Sequence, residues 1–90
     1  MKDIRPELKS IVKRQEARLR EKNTDPSKAD DAWKDMSIIN LVSRLIYQAQ
    51  LLHNAVMMTQ DRDLVRKKAA DVANFCMMVH DTAENDGSFI

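Results

Sequence analysis

Residues that interrupt helices or cross-link a chain are scarce in this sequence. Its 90 residues include one glycine, two prolines and one cysteine, and aromatic residues make up 4%. So few turn-forming residues exclude a fold with many tight turns, while long stretches of Ala, Leu, Lys, Glu, Arg, Gln and Met favour helix. We therefore predict an all-α fold, an antiparallel helical hairpin plus an N-terminal helix, in a single domain over residues 1–90.

Three further absences bear on location and partners. The single cysteine, Cys76, has no second cysteine for an internal disulfide, which fits a reducing compartment. No apolar run is long enough to span a bilayer and no signal-peptide pattern opens the chain, so we expect a cytoplasmic protein without a membrane partner. A net charge of +1 argues against a dedicated nucleic-acid binder, although residues 1–22 carry eight Lys and Arg against four Asp and Glu.

Apolar residues at helical spacing predict three helices. These run from Pro6 to about Glu21, from Ser37 to Met58 and from Arg62 to about Glu84. The first lies in an amphipathic segment, residues 1–24, that buries only one narrow stripe and is otherwise solvated. Asp35 or Ser37 is the expected cap of the second helix, and Asp61 that of the third. The short polar connection after Met58 makes the second and third helices antiparallel neighbours.

The second helix is apolar around more than half of its circumference. Its centre stripe and flanking residues include Ile38, Leu41, Val42, Leu45, Ile46, Ala49, Leu52 and Val56. One partner helix in a hairpin cannot bury so wide an arc, and exposed apolar area of this size marks an interface. We therefore predict a homo-oligomer, a dimer or a tetramer, in which self-association completes a four-helix core.

The third helix carries a core stripe and a small set of polar residues among apolar ones. The predicted stripe is Val65, Ala69, Val72, Cys76 and Val79, with Cys76 as a buried small apolar residue. Lys68 and Asp71 lie three residues apart, on one face of this helix. On the second helix, Gln48 lies between apolar neighbours. Since an unpaired buried charge is costly, these groups must be paired or must meet water or a ligand.

Two helical segments carry a family resemblance. They are Leu41-Val42-Ser43-Arg44-Leu45, followed by Leu52 and Ala55, and Ala69-Ala70-Asp71-Val72-Ala73-Asn74-Phe75. With these segments the chain resembles the MazG-like nucleoside triphosphate pyrophosphohydrolases, over a core of residues 33–84. The resemblance implies an all-α, oligomeric protein. It also implies an enzyme class that uses magnesium to cleave nucleoside triphosphates to monophosphate and pyrophosphate, with Glu-x-x-Glu and Glu-x-x-Asp as metal-binding pairs.

The chain departs from this signature at the acids. At the first pair, one alignment register gives Gln48 and Leu51, and a shift by one residue gives Tyr47 and Gln50. Lys68 stands where the third Glu belongs, which leaves Asp71 as the retained acid, with Asn74 one turn further on. One carboxylate and an amide make a poor octahedral oxygen site. We therefore expect no cofactor, and Asp71 as the metal ligand if magnesium binds at all.

Two interpretations of Lys68 stay open. Its ammonium group can pair with the Asp71 carboxylate and take the electrostatic role of a metal ion. Alternatively, its stem lies over Phe75 and its charge reaches solvent. A second candidate site is the cationic start of the third helix, where Arg62, Arg66, Lys67 and Lys68 would suit phosphate. Such a run is also typical of a solvated helix face.

Three functions follow from these observations. The one we favour is a MazG-like protein with a degenerate metal site, serving as a non-catalytic nucleotide-binding or oligomeric interaction module. The second is an active, magnesium-dependent pyrophosphohydrolase whose site is completed by acids of a partner chain, such as Glu7 or Glu16. The third is a helical adaptor that binds another protein through the wide apolar face of the second helix. The candidate ligand-binding residues are Gln48, Arg62, Arg66, Lys67, Lys68, Asp71 and Asn74.

Overall fold

A computed structural model of the chain describes residues 3–22 and 32–85, and within these ranges the fold is all-α, as predicted, with no strand. Helix α1 spans Pro6–Lys22, a 3₁₀ turn spans Ala32–Asp35, helix α2 spans Ile38–Met58 and helix α3 spans Arg62–Asn85. The helix ends agree with the predicted ones to within one residue. The predicted segment 1–24 falls partly outside the described residues.

Side-chain caps explain why α2 and α3 begin where they do. The Ser37 hydroxyl accepts a hydrogen bond from the Asn40 N–H at 3.2 Å, so Ser37, not Asp35, is the N-cap of α2. The Asp61 carboxylate accepts from the N–H groups of Asp63 at 3.0 Å and Leu64 at 3.1 Å. The predicted cap of α3 is thereby confirmed.

Helix α3 is the central element of the described fold. Both α2 and α1 pack along it, and the 3₁₀ turn also touches it. Four apolar side chains are buried, on α2 and α3: Leu41, Ala55, Ala70 and Met78. Among the described residues, nine large apolar side chains are exposed. The described part of the chain therefore has a thin apolar core with α3 at its centre, and much apolar surface remains in contact with solvent.

None of the five residues of the predicted core stripe of α3 is fully buried: Val65, Ala69, Val72 and Val79 are half-buried, and Cys76 is exposed. The residues that are buried on α3 are Ala70, Asp71, Asn74 and Met78. Cys76 follows Asn74 by two positions, and two positions turn an α-helix by about 200°, so Cys76 points to the opposite side. The physical reason is that α1 and α2 pack on the side of α3 that carries Asp71 and Asn74. The predicted stripe contains apolar residues only, so it does not include these two polar residues.

Helix α2 presents two mostly apolar seams, the inner one with Gln48 and the outer one with His53, each with the alternating three- and four-residue spacing of helix-packing positions. The inner seam is Ile38, Leu41, Leu45, Gln48, Leu52 and Ala55, and every member is buried or half-buried. The outer seam is Ile39, Val42, Ile46, Ala49, His53 and Val56, and every member is exposed. Within the described ranges, no helix is long and apolar enough to cross a bilayer.

Candidate functional site

A buried polar pair marks the candidate site on α3. Asp71 and Asn74 lie three residues apart on one face of the helix, and each is 1% exposed. Their surroundings include the buried apolar residues Ala70 and Met78. Because a buried carboxylate or amide is costly without partners, the neighbouring helix must supply them.

Arg18 of α1 supplies the partner of Asp71. Its Nε donates to Oδ1 of Asp71 at 2.9 Å and its Nη2 donates to Oδ2 at 3.0 Å, a two-pronged pair that engages both carboxylate oxygens. A third guanidinium nitrogen, Nη1, donates to the Glu21 carboxylate at 2.6 Å. The hydrogen bond to Asp71, ahead of the opposing effect of burial, holds the pKa of Arg18 above its ordinary value.

Gln15, one turn before Arg18, satisfies Asn74 in the same manner. The Gln15 side-chain amide donates to Oδ1 of Asn74 at 3.1 Å, and the Asn74 amide donates back to the Gln15 backbone carbonyl at 3.2 Å. Two adjacent reciprocal pairs thus join α1 to α3. The polar face of α3 is consequently a docking surface for α1, and it is closed to solvent.

The structure does not favour the first interpretation of Lys68, an ion pair with Asp71. Within residues 3–22 and 32–85, no salt bridge joins Lys68 to Asp71, and Arg18 holds that carboxylate instead. A planar guanidinium matches both oxygens of a carboxylate at once, whereas an ammonium group is a single point of charge. Lys68 is half-buried, and the alternative interpretation, in which its charge reaches solvent, stays a prediction.

The cationic start of α3 is partly neutralised by its own acids. Lys67 lies 3.4 Å from one oxygen of Asp63, and Arg14 of α1 lies 3.2 Å from the other. Lys67 first, and then Arg14, hold the pKa of Asp63 below its ordinary value. Asp61 already accepts from the N–H groups of Asp63 and Leu64, so fewer N–H groups of this helix terminus are left for an anion. Arg62 and Arg66 remain the exposed cations of the predicted set.

Arg66 faces a groove between α1 and α3. The groove has a volume of about 760 Å³, and its charged lining consists of Lys13, Arg14 and Arg66 with the single acid Glu7. Among the described residues, neither Lys13 nor Arg66 forms an ion pair. Ile11 and other small or apolar residues form the rest of the lining. This basic groove lies on the same side of α3 as α1, and the sequence pattern did not reveal it.

Gln48 is half-buried on the inner seam of α2. Within the described residues, its Oε1 atom is buried and accepts no hydrogen bond. An unsatisfied buried carbonyl costs about 1–3 kcal/mol. The amide therefore weakens the packing between α2 and α3 rather than strengthening it.

We expect Gln48→Met to raise the free energy of unfolding by about 1 kcal/mol, because methionine keeps the length of the side chain and removes the unsatisfied carbonyl. Urea denaturation measures the change. Gln50→Met, at an exposed position of the same helix, is the matched control and should change the value by less than about 0.5 kcal/mol. A loss of stability in Gln48→Met alone would show that the amide has a partner.

The residues present do not fit the magnesium ion that the family resemblance implies. Both oxygens of Asp71 are engaged by Arg18, and a guanidinium in this position repels a cation. In the described ranges, no group of three or more His, Cys, Asp or Glu side chains could hold a metal ion. Of the acids proposed to complete a site from a partner chain, Glu16 is paired with Arg20 at 3.1 Å, and Glu7 lines the basic groove.

The predicted protected position of Asp71 is confirmed, whereas the burial of Asn74 and the two partners on α1, Gln15 and Arg18, did not follow from the sequence. A signal for these two was present in α1, because Ile11, Gln15 and Arg18 follow one another at spacings of four and three residues. Gln15 and Arg18 therefore lie on the same stripe of α1 as the apolar residue Ile11. Comparison with the models of known families, with curated proteins and with solved structures finds no match. The resemblance to MazG-like enzymes accordingly stays a prediction from the residues.

Proposed function

We propose that this chain is a non-catalytic helical module that acts by associating with further copies of itself. The observation that carries the proposal is the outer seam of α2, in which all six residues are exposed. Four of them are β-branched aliphatic residues, with exposures of 58% for Ile39 and 57% for Ile46. An exposed apolar seam lowers the solubility of a monomer, and its burial against a second helix stabilises the associated state.

The relation between the two seams of α2 supports a bundle. Each residue of the outer seam follows one of the inner seam by a single position, and one position turns the helix by about 100°. In a four-helix bundle of roughly square cross-section, each helix meets its two neighbours at about this angle. Helix α3 covers the inner seam, and a helix from a second copy would cover the outer one.

The geometry at Asp71 supports the non-catalytic part of the proposal. A metal-dependent hydrolase needs carboxylate oxygens that are free to bind the ion, and here both oxygens accept from Arg18. The Arg18–Asp71 pair holds α1 against α3. A turnover assay of the wild-type protein with nucleoside triphosphates and magnesium tests this directly, and catalytic release of monophosphate and pyrophosphate would overturn it.

The mass of the protein in solution tests self-association. Sedimentation over a range of concentrations should give two or four times the chain mass of 10.4 kDa. A mass of 10.4 kDa at all concentrations would overturn the proposal and would favour the adaptor function, in which a different protein covers the outer seam.

The basic groove supports a second candidate function, the binding of a phosphate-bearing ligand such as a nucleotide. Lys13 and Arg66, which form no ion pair among the described residues, attract an anion beside Arg14, which already pairs with Asp63. Charged hydrogen bonds to phosphate contribute about 1.5–3 kcal/mol each. The apolar part of the lining would face the remainder of the ligand.

Calorimetric titration with adenosine triphosphate and with inorganic triphosphate tests this candidate. We expect Arg66→Ala to weaken binding about tenfold, because one charged contact is lost. Arg44→Ala removes the same charge from an exposed position of α2, outside the groove, and should leave the affinity unchanged. Equal weakening by both variants would mean that only the net charge matters. Equal affinity for the two probes would assign binding to the phosphates alone.

A further inference from the structure

The outer seam of α2 is self-complementary in one antiparallel register. When two copies of α2 run in opposite directions about a two-fold axis between positions 47 and 48, every seam residue meets another seam residue. Ile39 then lies opposite Val56 of the second copy, Val42 opposite His53, and Ile46 opposite Ala49. A large residue faces a small one at the centre, as close packing of helices requires. No seam residue is left over.

The ends of α2 favour the same direction. The helix has no acidic residue in its first turn and no basic residue in its last. The partial positive charge at its N-terminus and the partial negative charge at its C-terminus are therefore not compensated by its own side chains. An antiparallel neighbour places opposite ends side by side, whereas a parallel neighbour places like ends together. A parallel arrangement would also bring the two His53 side chains directly against each other.

We infer that the second copy docks antiparallel, α2 against α2, with the two-fold axis between positions 47 and 48 of the helix. This inference rests on the proposed self-association and adds its geometry. The contact is isologous, so it closes at the dimer and does not propagate into a filament. The outer seams of the two copies become one interior, and the α3 helices lie on the flanks.

Disulfide cross-linking between two single-cysteine chains tests the geometry. Both chains carry Cys76→Ser, since the native cysteine is exposed, and one carries Val42→Cys while the other carries His53→Cys. Positions 42 and 53 are 11 residues apart, or about 16 Å along the helix axis. A disulfide requires Cα atoms within about 7 Å. In the antiparallel register only the mixed pair can bond, and in a parallel register only the identical pairs can.

We expect an equimolar mixture to form the mixed disulfide at least about tenfold in excess over the two symmetric ones. Each variant must first show the same mass in solution as the wild-type protein. Symmetric disulfides would overturn the antiparallel geometry and leave self-association intact. An absence of disulfides in a protein of dimeric mass would assign the contact to another face. A monomeric wild-type protein would remove both the inference and the proposed function.

Discussion

Asp71→Asn should lower the free energy of unfolding by about 3 kcal/mol, the largest stability effect we expect from one substitution in this chain. The carboxylate is 1% exposed and shares two hydrogen bonds with Arg18. Asparagine keeps the shape but removes the charge, and its NH₂ group meets the guanidinium donors. Arg18 would then keep a partly buried charge whose remaining described partner is Glu21. Urea denaturation at a fixed protein concentration measures the loss.

Asp63→Asn is the matched control for this prediction. Asp63 also joins α3 to an arginine of α1, Arg14, at 3.2 Å, but its side chain is 56% exposed. Exposed ion pairs contribute little to stability, because water screens the charges. The two variants remove the same group from the same pair of helices and differ in burial. Equal losses would contradict the assignment of Arg18–Asp71 as the pair that docks α1.

The double variant Arg18→Met, Asp71→Leu separates docking from any need for charge. Replacing both members of a buried ion pair by apolar residues of similar volume is often neutral or stabilising. We expect its stability to lie within about 1 kcal/mol of the wild-type value, far above that of Asp71→Asn. A strongly destabilised double variant would show that the contact between α1 and α3 at positions 18 and 71 does not accept apolar side chains.

The helices could be predicted from the sequence because their limits are set locally. Ser37 and Asp61 cap the first N–H groups of the helices that follow them, and such contacts span only two or three residues. Apolar spacing likewise reports one face of one helix at a time. The protected position of Asp71 followed from that same spacing.

The partner of Asp71 could not be found in this way, because Arg18 lies 53 residues away along the chain. The sequence predicts that α1 is solvated outside one narrow stripe, and nothing in the sequence distinguishes Arg18 from the other arginines of α1. Only the packing of α1 on α3 selects Arg18 among them. Because the buried side of α3 is the one that carries Asp71 and Asn74, Cys76 lies on the exposed side.

We expect Ile46→Glu to weaken the proposed self-association at least about a hundredfold, or about 3 kcal/mol, and so to give monomers. Ile46 is 57% exposed on the isolated chain. The substitution therefore costs little in the fold of one copy. In the associated state it would bury a carboxylate from each copy near the two-fold axis, and the outer seam carries no Lys or Arg to pair with it. Sedimentation across a concentration series measures the change.

Asn54→Glu is the matched control, since Asn54 is exposed on the same helix but lies outside both seams. It adds the same charge and should leave the mass unchanged. Ile46→Ala, which only shortens the side chain, should weaken association about tenfold and so separates loss of packing from burial of charge. Helical circular dichroism establishes that each variant remains folded. A folded Ile46→Glu protein with the wild-type mass would place the contact between copies elsewhere, because no arrangement that covers the outer seam accepts two unpaired carboxylates at its centre.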